Sequence, residues 1–317
     1  MELSEDILKK VKLLQEKYAV MGQDLASYLD GLLYADYLTY WDYIHLDTLL
    51  SLQNPRTSFP DEEIFIMYHQ ITELYFKLSL HELEQIASRK EIDIKFLTKR
   101  IQRVNRYFAN LTNSFEVMVD GMDKDQFLKY RMSLLPASGF QSAQYRMIEI
   151  YATDFIHLVD KNHRERFLKN PGNIAEQFRF MYWQAGATEL ATGKKTLTLE
   201  QFEQKYSMQL IELGEKNEKR NLYFQYRILE NQDIDVSELK TALRELDSQV
   251  NVNWPLSHFK SAVRYLQRDP EDIKATGGTN WQKYLPPRFQ KRIFYPGLWS
   301  EDEINNWGKA WVESALG

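Results

Sequence analysis

From Ile94 to Met118 apolar residues return every three or four positions: Ile94, Leu97, Ile101, Val104, Phe108, Leu111, Phe115 and Met118. That spacing places all of them on one face of a helix, and so long a face has to be buried against another helix. A chain built around such a seam is committed to helix-on-helix packing. The punctuation agrees: 13 Gly and 9 Pro in 317 residues supply few of the breaks that a sheet protein needs. Hydrophobic residues make up 44% of the chain and aromatic ones 14%, enough for a large, ring-rich core. The expected fold class is all-α, a helical bundle forming a single domain over residues 1–317.

The same numbers remove several classes of function. A net charge of −5 argues against nucleic acid or an anionic membrane as a partner. The chain has no cysteine, so disulfides, zinc–thiolate sites, iron–sulfur clusters and thiolate-ligated iron are excluded together. The first residues, MELSEDILKKVKLLQEKY, lack the continuous apolar core of a signal peptide, and no run is long enough to span a membrane. The expectation is a soluble, cytoplasmic protein. No GxGxxG, P-loop, nucleophile elbow or HExxH is present. Asp154/His157 and Asp160/His163 have carboxylate-x-x-His spacing. They lie on one segment, however, whereas di-iron bundles draw such pairs from two helices.

Taken in order, Ser4 is placed to cap a helix whose apolar positions run from Ile7 through Val11, Leu14, Tyr18 and Leu25 to Tyr28. Residues 31–55 are crowded with tyrosines and end at Asn54-Pro55, a core or subunit contact by its composition. Residues 61–88 open with three acids and place Phe65, His69, Thr72 and Phe76 on one face. Pro136 and Gly139 mark a break after Arg131, with Ser138 set to cap the next helix. Free N–H groups beside an arginine suit a carboxylate, although an arginine paired within its own chain is the commoner case. Residues 194–229 read as one or two long charged helices, and Ser237 as the cap of another. That last helix leads into WPLSHFKSAVR, where Pro255 predicts a kink or a helix start just before His258. A lone histidine on a half-apolar helix is ordinarily a satisfied structural residue. Of the six histidines, only His69 and His258 have surroundings that suggest a site.

Four separated motifs stand together: LTYWDYIHLDTLLSLQ (38–53), DEEIFIMYHQITELYFKL (61–78), RMSLLPASGFQSAQYRMIE (131–149), and WPLSHFKSAVR with ATGG after it (254–278). In content and order they resemble the tryptophan 2,3-dioxygenase family of haem enzymes. The resemblance implies haem b, iron protoporphyrin IX, with His258 as its iron ligand. O2 would be the co-substrate and L-tryptophan the substrate, cleaved at the indole C2–C3 bond to N-formylkynurenine. It implies that His69 contacts the indole N–H and that Phe65, Phe127 and Leu134 line the pocket. Arg131 would hold the substrate carboxylate and Thr276 its amino-acid end, while Ser138 and Gly139 lie nearest the oxygen-binding face. Tyr40, Tyr43 and Ile44 match residues lent by a neighbouring subunit. This implies a homotetramer in which the arm 1–55 contacts that neighbour. The family's glycine-rich run is usually GTGGSSG and here reads ATGGTNW. Two other readings stand beside this one: a haem enzyme of the same scaffold acting on a different indole, and a non-catalytic haem-binding relative.

Overall fold

The computed structural model describes residues 3–35, 38–134, 141–188, 194–267, 287 and 291–309. These residues form helices and no strand, with isolated bridges at Val159–Met181 and Thr188–Lys195. The all-α class is thus borne out. None of the described helices is long and apolar enough to cross a membrane. The chain divides into two compact units, Met1–Asn54 and Pro55–Gly317.

In the first unit, α1 (Glu5–Val20) starts at Ser4, whose side chain accepts the N–H of Ile7, with Glu5 and Asp6 at the positive end of the helix dipole. The apolar periodicity predicts one helix through to Tyr28, but the chain breaks. Gly22 takes a left-handed φ of +66°, and Asp24 caps a new helix, α2 (Leu25–Leu33), by accepting from Ala26 and Ser27. Tyr18 and Tyr28 then stack across the break at 4.4 Å. Two single turns follow, α3 (Tyr40–Tyr43) and α4 (Leu46–Leu49), hinged at His45, whose φ is +52°. No residue of these four helices is buried.

In the second unit, α5 (Asp61–Ser88) and α6 (Ile94–Ser114) pack along their lengths. The predicted seam is real, since Leu97, Ile101, Val104, Phe108 and Leu111 are all buried. Its helix stops at Ser114, however. The stripe carries on through Phe115 into a separate turn, α7 (Glu116–Val119), where Met118 is also buried. Glu62 is buried at the start of α5 and accepts hydrogen bonds from Arg56 and Thr57. Burial by itself would raise its carboxyl, but these hydrogen bonds outweigh burial and hold it below the usual carboxylate range. Next, α8 (Lys124–Tyr130) tightens into a 3-10 turn at Arg131–Leu134. The helix after the Pro136 break, α9 (Ala143–Ala152), is capped by Ser142 and not by Ser138, which lies outside the described residues.

A 3-10 turn at Phe155–Leu158 and three short helices, α10 (Lys161–Lys169), α11 (Ile174–Phe178) and α12 (Tyr182–Gly186), lead to two helices in the charged stretch. These are α13 (Leu197–Asn217) and α14 (Leu222–Glu230). Then α15 (Ser237–Ser248) passes through a π-helical turn, Gln249–Asn253, into α16 (Trp254–Leu266). Ser237 is the first helical residue of α15 and not its cap; Val236 holds that position. The last described segment, residues 291–309, holds a 3-10 turn and a short helix, Glu301–Asn305, with a capping box between Ser300 and Glu303.

Gly214 on α13 shows how closely the second unit is packed. A Cβ there would stand 2.8 Å from both Ile174 Cγ2 and Phe155 Cε2. Overpacking of this kind costs about 1–3 kcal/mol, against a helix-propensity gain of about 1 kcal/mol. Gly214→Ala is therefore expected to lower the urea midpoint, with a net loss of up to about 2 kcal/mol. Gly31→Ala has no atom within 4 Å of the added Cβ and is expected to be neutral or stabilising.

Candidate functional site

Two imidazoles define the site. His69 lies on α5, and its Nδ1 is 2.7 Å from the carbonyl of Phe65, one turn earlier on the same helix. His258 lies on α16 and repeats the arrangement, with Nδ1 2.9 Å from the carbonyl of Trp254. A carbonyl can only accept, so in each ring Nδ1 carries the proton and Nε2 keeps its lone pair. Neither Nε2 has a hydrogen-bond partner among the described residues, and both residues are only half-buried. Both nitrogens are thus available to an incoming group.

Both rings are held neutral. Burial pulls the His258 imidazole down to about 4 against the opposing effect of its bond to Trp254. Charge on His69 also disfavours charge on His258. Packing links the two although 189 positions separate them in the chain: Tyr68, next to His69 on α5, meets Phe115 edge-on at 5.6 Å, and Phe115 meets His258 at 4.5 Å. Burial likewise lowers His69, opposed by its bond to Phe65 and by the carboxylate of Glu73.

Aromatic rings wall both imidazoles. Phe65 lies 4.1 Å from the ring of His69 and 6.3 Å from Phe127, which packs 4.7 Å from Tyr265 of α16. Tyr130 meets Phe65 and Phe127 edge-on at 6.0 and 5.7 Å. On the other side Phe115 and Trp254 approach His258 at 4.5 and 4.3 Å. The helix bearing His258 is pinned to the α7–α8 region by two side-chain bonds, Ser261 to the carbonyl of Met118 at 3.0 Å and Tyr265 to that of Met122 at 3.2 Å. Arg131 follows Phe127 by one turn, its N–H closing on the Phe127 carbonyl, and is buried, which works against its charge. Leu134 ends the same 3-10 turn.

The structure therefore brings Phe65, His69, Phe127 and His258 to one region and sets Arg131 and Leu134 on the turn that continues from Phe127. Ser138, Gly139 and Thr276 lie outside the described residues. Tyr40, Tyr43 and Ile44 belong to the first unit, where Tyr40 and Tyr43 are 70% and 73% exposed and Ile44 is half-buried. Sequence reasoning missed Phe115, Tyr130 and Tyr265 as walls, and the carbonyls of Phe65 and Trp254 as the anchors of the two rings. The i, i−4 relation of each histidine to an aromatic residue, Phe65/His69 and Trp254/His258, was the available signal.

Among the described residues no three His, Asp or Glu side chains converge as a metal cage. A locked, neutral imidazole with a free Nε2 is instead the donor expected for an iron that brings its other ligands with it, as in a porphyrin. His258 fits that requirement, and the flat aromatic walls suit a flat macrocycle.

In the protein without added haem, ring 15N NMR should show both histidines protonated at Nδ1 at neutral pH. His258 should titrate near 4 and not near the ordinary value of about 6.5. Between those values the folded state binds fewer protons than the unfolded one. Its stability should therefore be complete above about pH 6.5 and decline as pH falls towards 4, read as a falling urea midpoint. A His258 signal titrating near 6.5 would contradict this arrangement.

Comparison with known proteins bears on the same region. The tryptophan 2,3-dioxygenase family model matches residues 32–180. The tryptophan 2,3-dioxygenase of Ruegeria sp. (strain TM1040) is 40% identical over 119 residues, 37% of this chain and 42% of the relative. That of Bradyrhizobium diazoefficiens is 36% identical over 129 residues, 40% of this chain and 45% of the relative. That of Bacillus anthracis is 40% identical over 113 residues, 35% and 40% of the two chains. The matched stretch spans about two fifths of the length of these curated relatives. Over residues 32–180, which carry Phe65, His69, Phe127 and Arg131, the chain is a match to the tryptophan 2,3-dioxygenase family.

Proposed function

We propose that this protein is a haem-dependent dioxygenase that cleaves the indole C2–C3 bond of L-tryptophan with O2, giving N-formylkynurenine. The observation that carries the reading is the pair of imidazoles joined through the Tyr68–Phe115 ring contact, each with Nδ1 tied to its own helix and Nε2 left for a ligand. Both atoms of O2 end in the product, so no external reductant enters the balance.

Iron protoporphyrin supplies the redox chemistry with O2. The remaining tasks fall to the polypeptide. His258 would hold the iron through Nε2, its ring oriented by the Trp254 carbonyl. His69 accepts the indole N–H at Nε2. It orients that group and does not remove the proton, because an indole N–H is far too weak an acid for a neutral imidazole. Phe65, Phe127 and Leu134 give the indole apolar walls. The Arg131 guanidinium binds the carboxylate, and Thr276 meets the amino-acid end of the substrate. Ser138 and Gly139, which are outside the described residues, would line the side of the site that receives O2. Positioning of this kind converts a bimolecular encounter into an oriented one.

The proposal extends to assembly. The chain forms a homotetramer in which the arm 1–55 contacts a neighbour and lends it Tyr40, Tyr43 and Ile44. Support comes from the first unit itself: its four helices bury no residue, and Trp41, Tyr40 and Tyr43 are 55%, 70% and 73% exposed. Large rings left in water are a surface awaiting a partner. A cysteine-free chain suits the cytoplasm.

Reduced, haem-loaded protein supplied with L-tryptophan and O2 should form N-formylkynurenine, and His258→Ala should lose the axial-histidine absorption spectrum. Arg131→Ala should lower kcat/KM for L-tryptophan about 10- to 100-fold, the worth of one charged hydrogen-bonded pair. Turnover of tryptamine, which has no carboxylate, should be unaffected by that change. No product from haem-loaded protein, or an unchanged spectrum in His258→Ala, would defeat the proposal.

A further inference from the structure

The helix that carries His258 contains a local defect, and the chain closes that defect with residues from far away. Between α15 and α16 the backbone widens into the π-turn Gln249–Asn253, so that the N–H of Trp254 reaches back five residues to the carbonyl of Gln249. In an α-helix that N–H would serve Val250. The next N–H along would belong to residue 255, which is proline and has none. The Val250 carbonyl is thereby left without a helical donor, while Val250 itself is completely buried.

Two side chains take the place of the missing N–H. Tyr145 of α9 donates its hydroxyl to the Val250 carbonyl at 3.0 Å, and Arg292 Nη2 donates to the same oxygen at 3.2 Å. Arg292 also bonds Tyr145 Oη at 2.8 Å and, through Nε, the side-chain oxygen of Asn251 inside the π-turn. Its charge is met by Glu149 Oε1 at 2.8 Å. Asn251 in turn donates to Asp247 at 2.7 Å, and Asp247 accepts the N–H groups of Phe294 and Tyr295 and the indole N–H of Trp299. The segment 291–309 is therefore fastened to the π-turn at Asn251 and to α15 at Asp247, two residues before the turn.

A π-turn carries one residue more than an α-turn, and each residue of an α-helix turns the chain by about 100°. Were the turn to relax into regular α-helix, every side chain beyond it would rotate about the axis by that angle relative to α15. His258, five residues past the turn, would swing away from Phe115. We infer that Arg292, with Tyr145, is a positioning residue for His258: by supplying the donors that Pro255 withholds from Val250, it keeps the π-turn wound and so sets the direction in which the imidazole points. The inference rests on the reading of His258 as the iron ligand, but its geometry can be tested without haem.

The variants are Arg292→Met, Arg292→Lys and Tyr145→Phe, with Leu199→Ala on α13 as a core control of comparable destabilisation. In haem-free protein that remains folded by circular dichroism, the ring 15N and 1H signals of His258 report its bond to Trp254 and its place beside Phe115. Those signals should shift in Arg292→Met, shift less in Tyr145→Phe, and return part of the way in Arg292→Lys. Titration with free haem should show at least a tenfold loss of affinity in Arg292→Met, partly recovered in Arg292→Lys, and little change in Leu199→Ala. Unmoved His258 signals in folded Arg292→Met would overturn the inference, as would an equal shift in Leu199→Ala. If wild type takes up no haem while the ring signals still move as expected, the proposed function fails and the positioning role stands.

Discussion

Val250 turns its carbonyl into a dry part of the bundle, at a point where one helical N–H has been drawn back to Gln249 and the next belongs to proline. Left alone, such an oxygen costs about 1–3 kcal/mol. Satisfying it with Arg292 brings a full charge into the interior, which demands further partners. Glu149 answers that charge. Tyr182 donates to Glu149 and accepts from Arg146 and Arg292, and Arg146 makes a second ion pair to Glu149 at 3.1 Å. With Asp247 the cluster holds two cations and two acids, so it closes near neutrality. Burial pushes the Asp247 carboxyl up to about 6, against the hydrogen bonds that it accepts. One proline thus obliges α9, α12, α15 and the segment 291–309 to meet at a single place.

The two histidines solve a smaller version of the same problem by local means. A helical carbonyl one turn back has a second lone pair, and an imidazole four residues on can reach it. The bond fixes the tautomer, limits rotation of the ring and leaves the far nitrogen exposed. It needs no partner from elsewhere in the chain. Direction is a different matter. A ring anchored to its own helix points wherever that helix has been rotated, and the rotation of α16 is decided by the π-turn before it. Local chemistry prepares the ligand and the polar cluster aims it.

Much of this was legible in the sequence. The three-and-four spacing of Leu97 through Leu111 announced a buried seam, and the burial of those residues confirms it. Phe65 and His69 share a face because they are four apart. Pro255 predicted an irregularity, although not that it would take the form of a π-turn. The errors were of one kind. Apolar spacing carried the first helix across Gly22, and serine identity put caps at Ser138 and Ser237. Periodicity records which face is apolar and does not register a left-handed glycine or the residue at which a helix begins.

The residue order alone determined that the protein is helical, that each histidine has a carbonyl one turn behind it, and that proline withholds a donor beside His258. These are relations within four or five positions, where covalent geometry leaves little choice. That Arg292 supplies the missing donor, that Glu149 and Asp247 balance the cluster, and that Phe115 links the helix of His69 to the ring of His258 were decided only by tertiary packing. Those partners stand 42 to 189 positions apart in the chain, with nothing in local spacing to link them, and it is the shared need to bury charge and apolar rings and to satisfy hydrogen bonds that draws them together.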